Sequence, residues 1–190
     1  NPKGVVIEHH SVLGLIRLHN RDLEIDASSR GTLMAAVGFD LSQSEIWSQL
    51  LAGGQIQVPT DSVLLNSDEF LAFCVAHEIT HAFVPTLRVY DVLNAIQPPG
   101  LKLRFIYTCG EKLHPVDVDH LSYQVVDCYG PTETTIFVTS RVVPSARLNS
   151  PASIGWPMGD FKVFVLDGDL NEVRPGEAGE LCIAGDCLAR

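Results

Sequence analysis

Between residues 5 and 127 the chain alternates short β-branched or continuously apolar runs with stretches whose apolar residues recur at helical spacing. This alternation constrains the fold more than any other feature. A strand, a helix and a second strand in succession make a βαβ unit, and repeated units make a mostly parallel sheet with helices on both faces. Strands are expected at residues 5–7, 32–39, 55–58, 79–84, 103–107 and 124–127. The run 32–39 is almost unbroken in its hydrophobicity, as a strand covered on both faces would be. Helices are expected at 9–19, at 44–51 with a stop at Gly53-Gly54, from a Ser67 cap to His77, at 87–96 with Thr86 as cap, and at 115–121. After Thr135 the pattern changes to strands at 136–143, 161–166 and 180–183, separated by the turn signals Asp167-Gly168 and Arg174-Pro175-Gly176. The division expected is an α/β unit over residues 1–140 and the start of a small β-barrel-like unit over 141–190.

The stretch Val125–Thr134, V-V-D-C-Y-G-P-T-E-T, runs a β-branched strand into a Gly-Pro turn. Gly admits backbone conformations other residues avoid, and Pro fixes the next φ. In an open α/β sheet such a turn lies at the C-terminal edge, where ligands bind. It offers an aromatic face, a hydroxyl and a carboxylate, suited to a flat ring, a phosphate oxygen and a hard cation. A second polar break, Phe39-Asp40-Leu41-Ser42, follows the apolar run. A carboxylate there either caps the next helix or awaits a cationic ligand group. Lys3-Gly4 has the form of the tail of a phosphate loop.

The net charge of −10 carries no basic run, which argues against a nucleic-acid partner or an anionic membrane surface. No apolar run has the length of a bilayer span. The five cysteines form no metal-knuckle spacing, and reduced thiols in a cytoplasmic protein are the simplest account. His77-Glu78-Ile79-Thr80-His81 matches H-E-x-x-H, a zinc motif that must lie on one helix. Here β-branched Ile79, Thr80 and Val84 and the closing Pro85 put His81 on a strand, so two ordinary histidines at a helix–strand junction are expected.

Four segments together resemble one family. Asn1-Pro2-Lys3-Gly4 is similar to the end of T-S-G-T-T-G-x-P-K-G, and Phe39-Asp40-Leu41-Ser42 with Glu45-Ile46-Trp47 to F-D-x-S-x-x-E-I-W. Residues 127–133 are similar to N-x-Y-G-P-T-E, and residues 179–185 to G-E-L-x-I-x-G. By these motifs the chain resembles the adenylate-forming enzymes, in particular the amino-acid adenylation domains of nonribosomal peptide synthetases. The resemblance implies a flavodoxin-like subdomain and the ATP- and magnesium-dependent activation of an amino acid as its adenylate. It also implies transfer to the phosphopantetheine thiol of a partner carrier protein, beside condensation domains.

On the same resemblance, Thr132 and Glu133 carry the chemistry, with Glu133 holding magnesium and Thr132 a phosphate oxygen. Tyr129 stacks on adenine, Asp127 meets its amino group, Gly110, Glu111 and Lys112 form a shelf beside the base, and Lys3 and Gly130 complete the nucleotide site. Asp40 pairs with the substrate α-ammonium. Leu41, Ser44, Phe83, Tyr107, Cys109, Cys128, Ile136 and Phe137 line the side-chain pocket, which carries no charge and implies a neutral substrate side chain. Asp127 stands where the family has Asn, Cys187 where it has a second Gly, and Trp156 where a smaller or basic residue is common. The glycine-rich part of the phosphate loop, the ribose-binding Asp and the lid with its catalytic Lys have no counterpart in these residues, so the chain by itself is expected to be inactive. The rival expectations are an acyl- or aryl-CoA ligase of the same superfamily, which has no amine to pair with Asp40, and a non-catalytic interaction module.

Overall fold

The structure, a computed structural model, describes residues 4–144 and 153–190. Five helices are seen: α1 His9–Asp22, α2 Leu41–Ala52, α3 Asp61–Leu65, α4 Ser67–Ala76 and α5 Thr86–Asn94. They are interleaved with β1 Arg30–Thr32, β2 Gln55–Gln57, β3 His81–Phe83, β4 Phe105–Thr108 and β5 Gln124–Tyr129, with α3 and α4 both between β2 and β3 and no helix between β4 and β5. These strands pair in parallel in the order β2-β1-β3-β4-β5, a flavodoxin-like arrangement. Two antiparallel strands, β6 Thr139–Val142 and β7 Trp156–Pro157, extend the same sheet. A separate antiparallel pair, β8 Lys162–Leu166 and β9 Glu180–Ala184, follows.

Strand side chains alternate between faces, and the two faces build two cores. Ala82, Val84, Ile106 and Val125 face Phe70, Leu71 and Cys74 of α4 and Val89, Val92 and Leu93 of α5. Phe83, Phe105, Tyr107, Val126 and Cys128 face the other way, into a cluster with Leu15 of α1 and Leu41 of α2. Both faces of the parallel sheet are therefore covered, which is why these strands are continuously apolar in sequence. The division at residues 140 and 141 falls inside β6, because the main sheet continues through β7.

Several expected elements differ. Residues 5–7 form no strand. The apolar run 32–39 leaves the sheet after Thr32, because the Glu45 carboxylate takes the amides of Met34 (2.7 Å) and Ala35 (2.8 Å) that a neighbouring strand would have used. Residues 115–121 are not helical; Asp117 accepts from the Asp119 amide at 3.0 Å, a side-chain turn that competes with helix. Asn66, not Ser67, caps α4, accepting from Asp68 and Glu69 at 2.9 and 3.1 Å. Thr86 is the first residue of α5, and its hydroxyl donates to the Cys109 carbonyl at 3.1 Å. No helix among the described residues is long and apolar enough to cross a membrane, and all five cysteines are free.

Candidate active site

Glu45 sets the position of Asp40. It is buried in the first half of α2, and its carboxylate oxygens hold the Met34 and Ala35 amides, with the Thr32 hydroxyl at 3.4 Å. Burial pushes its pKa up to about 8, against the opposing pull of those three donors. The clamp turns the chain away from the sheet edge, so that residues 33–39 form a loop and Asp40 starts α2. Asp40 sits at the N-cap position, yet its side chain makes no capping bond. Its Oδ2 accepts instead from the Thr132 hydroxyl at 2.5 Å, a charge-assisted bond between two loops far apart in sequence.

Thr132 is delivered by the turn after β5. Gly130 is required there: a Cβ would lie 2.5 Å from the Ile136 carbonyl oxygen and 2.7 Å from the Phe137 Cα. The chain then makes a single 3₁₀ turn at Thr132–Thr134, followed by Thr135 and Ile136 at φ of 61° and 74°. Positive φ is strained for β-branched residues and needs support from the surroundings. Support comes from the Val138 amide on the Tyr129 carbonyl (2.8 Å), the Thr135 hydroxyl on the Cys187 carbonyl (2.7 Å) and the Ala189 amide on the Glu133 carbonyl (2.7 Å). Thus residues 136–138, expected to be strand, are spent on this loop. Cys187 at the exit of the β8–β9 pair braces it.

Two recesses open along the sheet's C-terminal edge. One, of about 580 Å³, is lined by Val37, Phe39, Asp40, Gln43, Thr132 and Glu133. The other, of about 480 Å³, is lined among others by Gly110, Glu111, Lys112, Asp127, Tyr129 and Gly130. Ser153 and Ile154 form part of its wall, a contribution the motifs do not reveal. Tyr129 is 38% exposed, leaving a ring face to the recess. Gly110 has φ of 107° and open space where a side chain would stand, so the 109–112 turn keeps a bare backbone beside this recess. Asp127 is buried, which raises its pKa; Arg141, opposite it in the β5–β6 register at 3.4 Å, counters that rise. Arg141 was not legible in sequence, because only the antiparallel register brings it across.

The expected side-chain pocket residues also converge. Leu41, Phe83, Tyr107, Cys109, Cys128, Ile136 and Phe137 share one buried cluster. Ser44 is buried beside it, donates to the Leu41 carbonyl at 2.8 Å and shares a hydrogen bond with Tyr107. Burial pushes the Cys109 thiol up to about 12 and the Cys128 thiol well above its usual value. These thiols are packing groups, not nucleophiles. Lys3 lies outside the described residues.

The H-E-x-x-H string does not form a site. His77 ends α4, Glu78 has φ of 51°, and His81 lies on β3. Both His81 ring nitrogens are occupied, Nε2 donating to the Leu23 carbonyl at 2.8 Å and Nδ1 accepting from the Thr80 hydroxyl at 2.7 Å.

A sequence profile of the AMP-binding enzyme family matches residues 1–190. The chain is 40% identical to a linear gramicidin synthase of Brevibacillus parabrevis over 191 positions, covering all of this chain and 2% of that protein. It is 35% identical to bacitracin synthase 1 of Bacillus licheniformis, covering all of this chain and 4% of that protein. It is 30% identical to gramicidin S synthase 1 of Brevibacillus brevis, covering all of this chain and 17% of that protein. A crystal structure of a four-domain nonribosomal peptide synthetase bound to AMP and glycine superposes with a TM-score of 0.83 at 26% identity, over 99% of this chain and 14% of that one. The chain thus spans only a small part of each of these relatives. It belongs to the family of AMP-binding enzymes.

Proposed function

We propose that this chain forms the core of a domain that activates an amino acid with ATP, giving an aminoacyl-adenylate and pyrophosphate for loading onto the phosphopantetheine thiol of a carrier domain. A substrate carboxylate oxygen attacks the α-phosphorus, and the bond from that phosphorus to the pyrophosphate oxygen breaks. No proton need move, so the protein's task is positioning and charge neutralisation. Asp40 anchors the α-ammonium at the mouth of the first recess. Tyr129 stacks the base, Asp127 accepts from its exocyclic amine, and the 109–112 turn borders it. Thr132 donates to a phosphate oxygen once an ammonium has taken its place at Asp40.

No group of three or more acidic, His or Cys side chains among the described residues is arranged to hold a metal. A single exposed carboxylate, Glu133, suits magnesium, which keeps waters and phosphate oxygens as its other ligands. When bound, the ion would neutralise phosphate charge. The side-chain pocket carries no charged lining residue, which favours a neutral substrate side chain. The AMP and glycine bound by the similar synthetase are consistent with this assignment.

The observation that carries the reading is the Asp40–Thr132 bond, which supports it by holding the carboxylate proposed for the ammonium against the turn proposed for the phosphates in one recess. The test is amino-acid-dependent ATP–pyrophosphate exchange, by a protein that carries this chain within a complete adenylation domain, against a panel of amino acids and their deamino analogues. Exchange restricted to amine-bearing acids is expected. Exchange with an acid lacking the amine, untouched by Asp40→Ala, would assign the chain to a CoA ligase instead. Preference for Lys, Arg, Asp or Glu would contradict the neutral pocket.

A further inference from the structure

His19, on the inner face of α1, takes no part in the chemistry proposed so far. It is buried to 1% exposure, and its Nε2 has no hydrogen-bond partner among the described residues. Its ring stacks on Phe137 at 5.3 Å between centroids and meets Tyr107 edge-on at 5.0 Å. Both neighbours belong to the cluster assigned to the substrate side chain. Burial lowers the His19 pKa to about 3, with the nearby His81 adding to the effect, so the imidazole is neutral. A neutral imidazole presents a donor or an acceptor at Nε2 according to its tautomer. A buried polar atom left unpaired destabilises the protein, and an orphan of this kind calls for a partner.

We propose that His19 is a specificity-determining residue whose Nε2 pairs with the substrate side chain, so that the enzyme selects an uncharged amino acid bearing a hydroxyl, phenol or carboxamide group. The proposal rests on the adenylation reading and narrows it. The rest of the pocket supplies apolar and aromatic surface plus the Ser44 and Tyr107 hydroxyls, which are already paired with each other. Beside this cluster, His19 Nε2 is a buried polar atom without a partner among the described residues. A site that pairs with a substrate hydroxyl or amide rejects the analogue lacking it, because its own buried group is then stranded.

The experiment uses the complete adenylation domain that contains this chain. Its kcat/KM is measured by pyrophosphate exchange for the pairs Ser/Ala, Thr/Val, Tyr/Phe, Asn/Leu and Gln/Met, in the wild type and in His19→Phe and His19→Gln. The wild type is expected to prefer the polar member of its best pair by about tenfold or more. His19→Phe is expected to remove that preference through KM for the amino acid, with KM for ATP unchanged. His19→Gln, which keeps a hydrogen-bonding group, is expected to restore part of it; should His19→Phe not fold, loss of preference in His19→Ala against its retention in His19→Gln decides. A wild-type preference for the apolar member, or an unchanged preference in a folded His19→Phe, overturns the inference and leaves the adenylation reading standing. Absence of any amino-acid-dependent exchange overturns both.

Discussion

At the scale of the residue, the site depends on groups whose neighbours give them work. Asp40 looks like a helix cap in sequence, yet its carboxylate faces Thr132. Glu45 looks like one more residue of a helix motif, yet it fixes the loop that precedes Asp40. Below about pH 8 the Glu45 carboxyl is protonated, but its hydroxyl oxygen can still accept from a backbone N–H; the NH₂ group of Glu45→Gln cannot, and an amide is left unpaired. The expected loss is about 1–3 kcal/mol of stability, together with a raised KM for the amino acid, measured by thermal unfolding and steady-state exchange. The sign with pH follows from burial. Because the folded pKa of Glu45 is raised from 4.5 to about 8, its differential contribution is fully present below 4.5 and lost as pH rises through about 8. Wild-type stability relative to the Gln variant should therefore decline across that window, and a difference that stays flat from pH 5 to 9 would contradict it.

At the scale of the element, strands β3, β4 and β5 were readable because β-branched and aromatic residues run there without a competing hydrogen-bond acceptor. The apolar run at 32–39 was not, since the Glu45 acceptor that dissolves it lies ten or more residues further on. Nor was the loop at 135–138, whose positive-φ Thr135 and Ile136 are held by contacts with Cys187 and the 3₁₀ turn rather than by local preference. The Gly130 turn, in contrast, was legible from its Gly-Pro signature. Gly130→Ala places a methyl against the Ile136 carbonyl. We expect it to lower stability by about 1–3 kcal/mol and to weaken both nucleotide and amino-acid binding, because one turn carries Tyr129, Thr132 and Glu133. Denaturant unfolding and binding titrations read this directly; an unaltered midpoint with unaltered affinities would show that the loop tolerates the methyl.

At the scale of the whole molecule, the parallel order β2-β1-β3-β4-β5 collects the loops after β1, β4 and β5 at one edge, and the site follows from that topology. Helices α1, α2, α4 and α5 and strands β2 to β5 were legible from apolar periodicity, whereas α3 and the true extent of β1 were not. That Leu41, Phe83, Tyr107, Cys109, Cys128, Ile136 and Phe137 share one buried cluster was legible only through motif resemblance, and the places of His19 and Arg141 emerged only once packing and register were known. Two imidazoles buried in neutral form also set an acid limit. Burial lowers His19 to about 3 and His81 to about 4 from 6.5, while the Leu23 carbonyl, Glu24 and Asp26 pull His81 back up and Arg104 lowers it further. Groups with depressed folded pKa values contribute stability above their unfolded pKa and lose it as pH falls. The unfolding midpoint should thus drop as pH goes from about 6.5 toward 4, less steeply in His81→Asn; equal slopes in the two proteins would contradict this.

One titration addresses the cleft itself. A non-hydrolysable aminoacyl-adenylate analogue of the amino acid selected by exchange, and its deamino counterpart, are titrated into the complete domain and into Asp40→Ala. We predict that the wild type binds the amine-bearing analogue on the order of 10²-fold more tightly than the deamino form, and that Asp40→Ala removes most of that difference. Equal affinity for the two analogues in the wild type, or a difference that survives Asp40→Ala, would contradict a shared cleft in which Asp40 holds the ammonium beside the nucleotide.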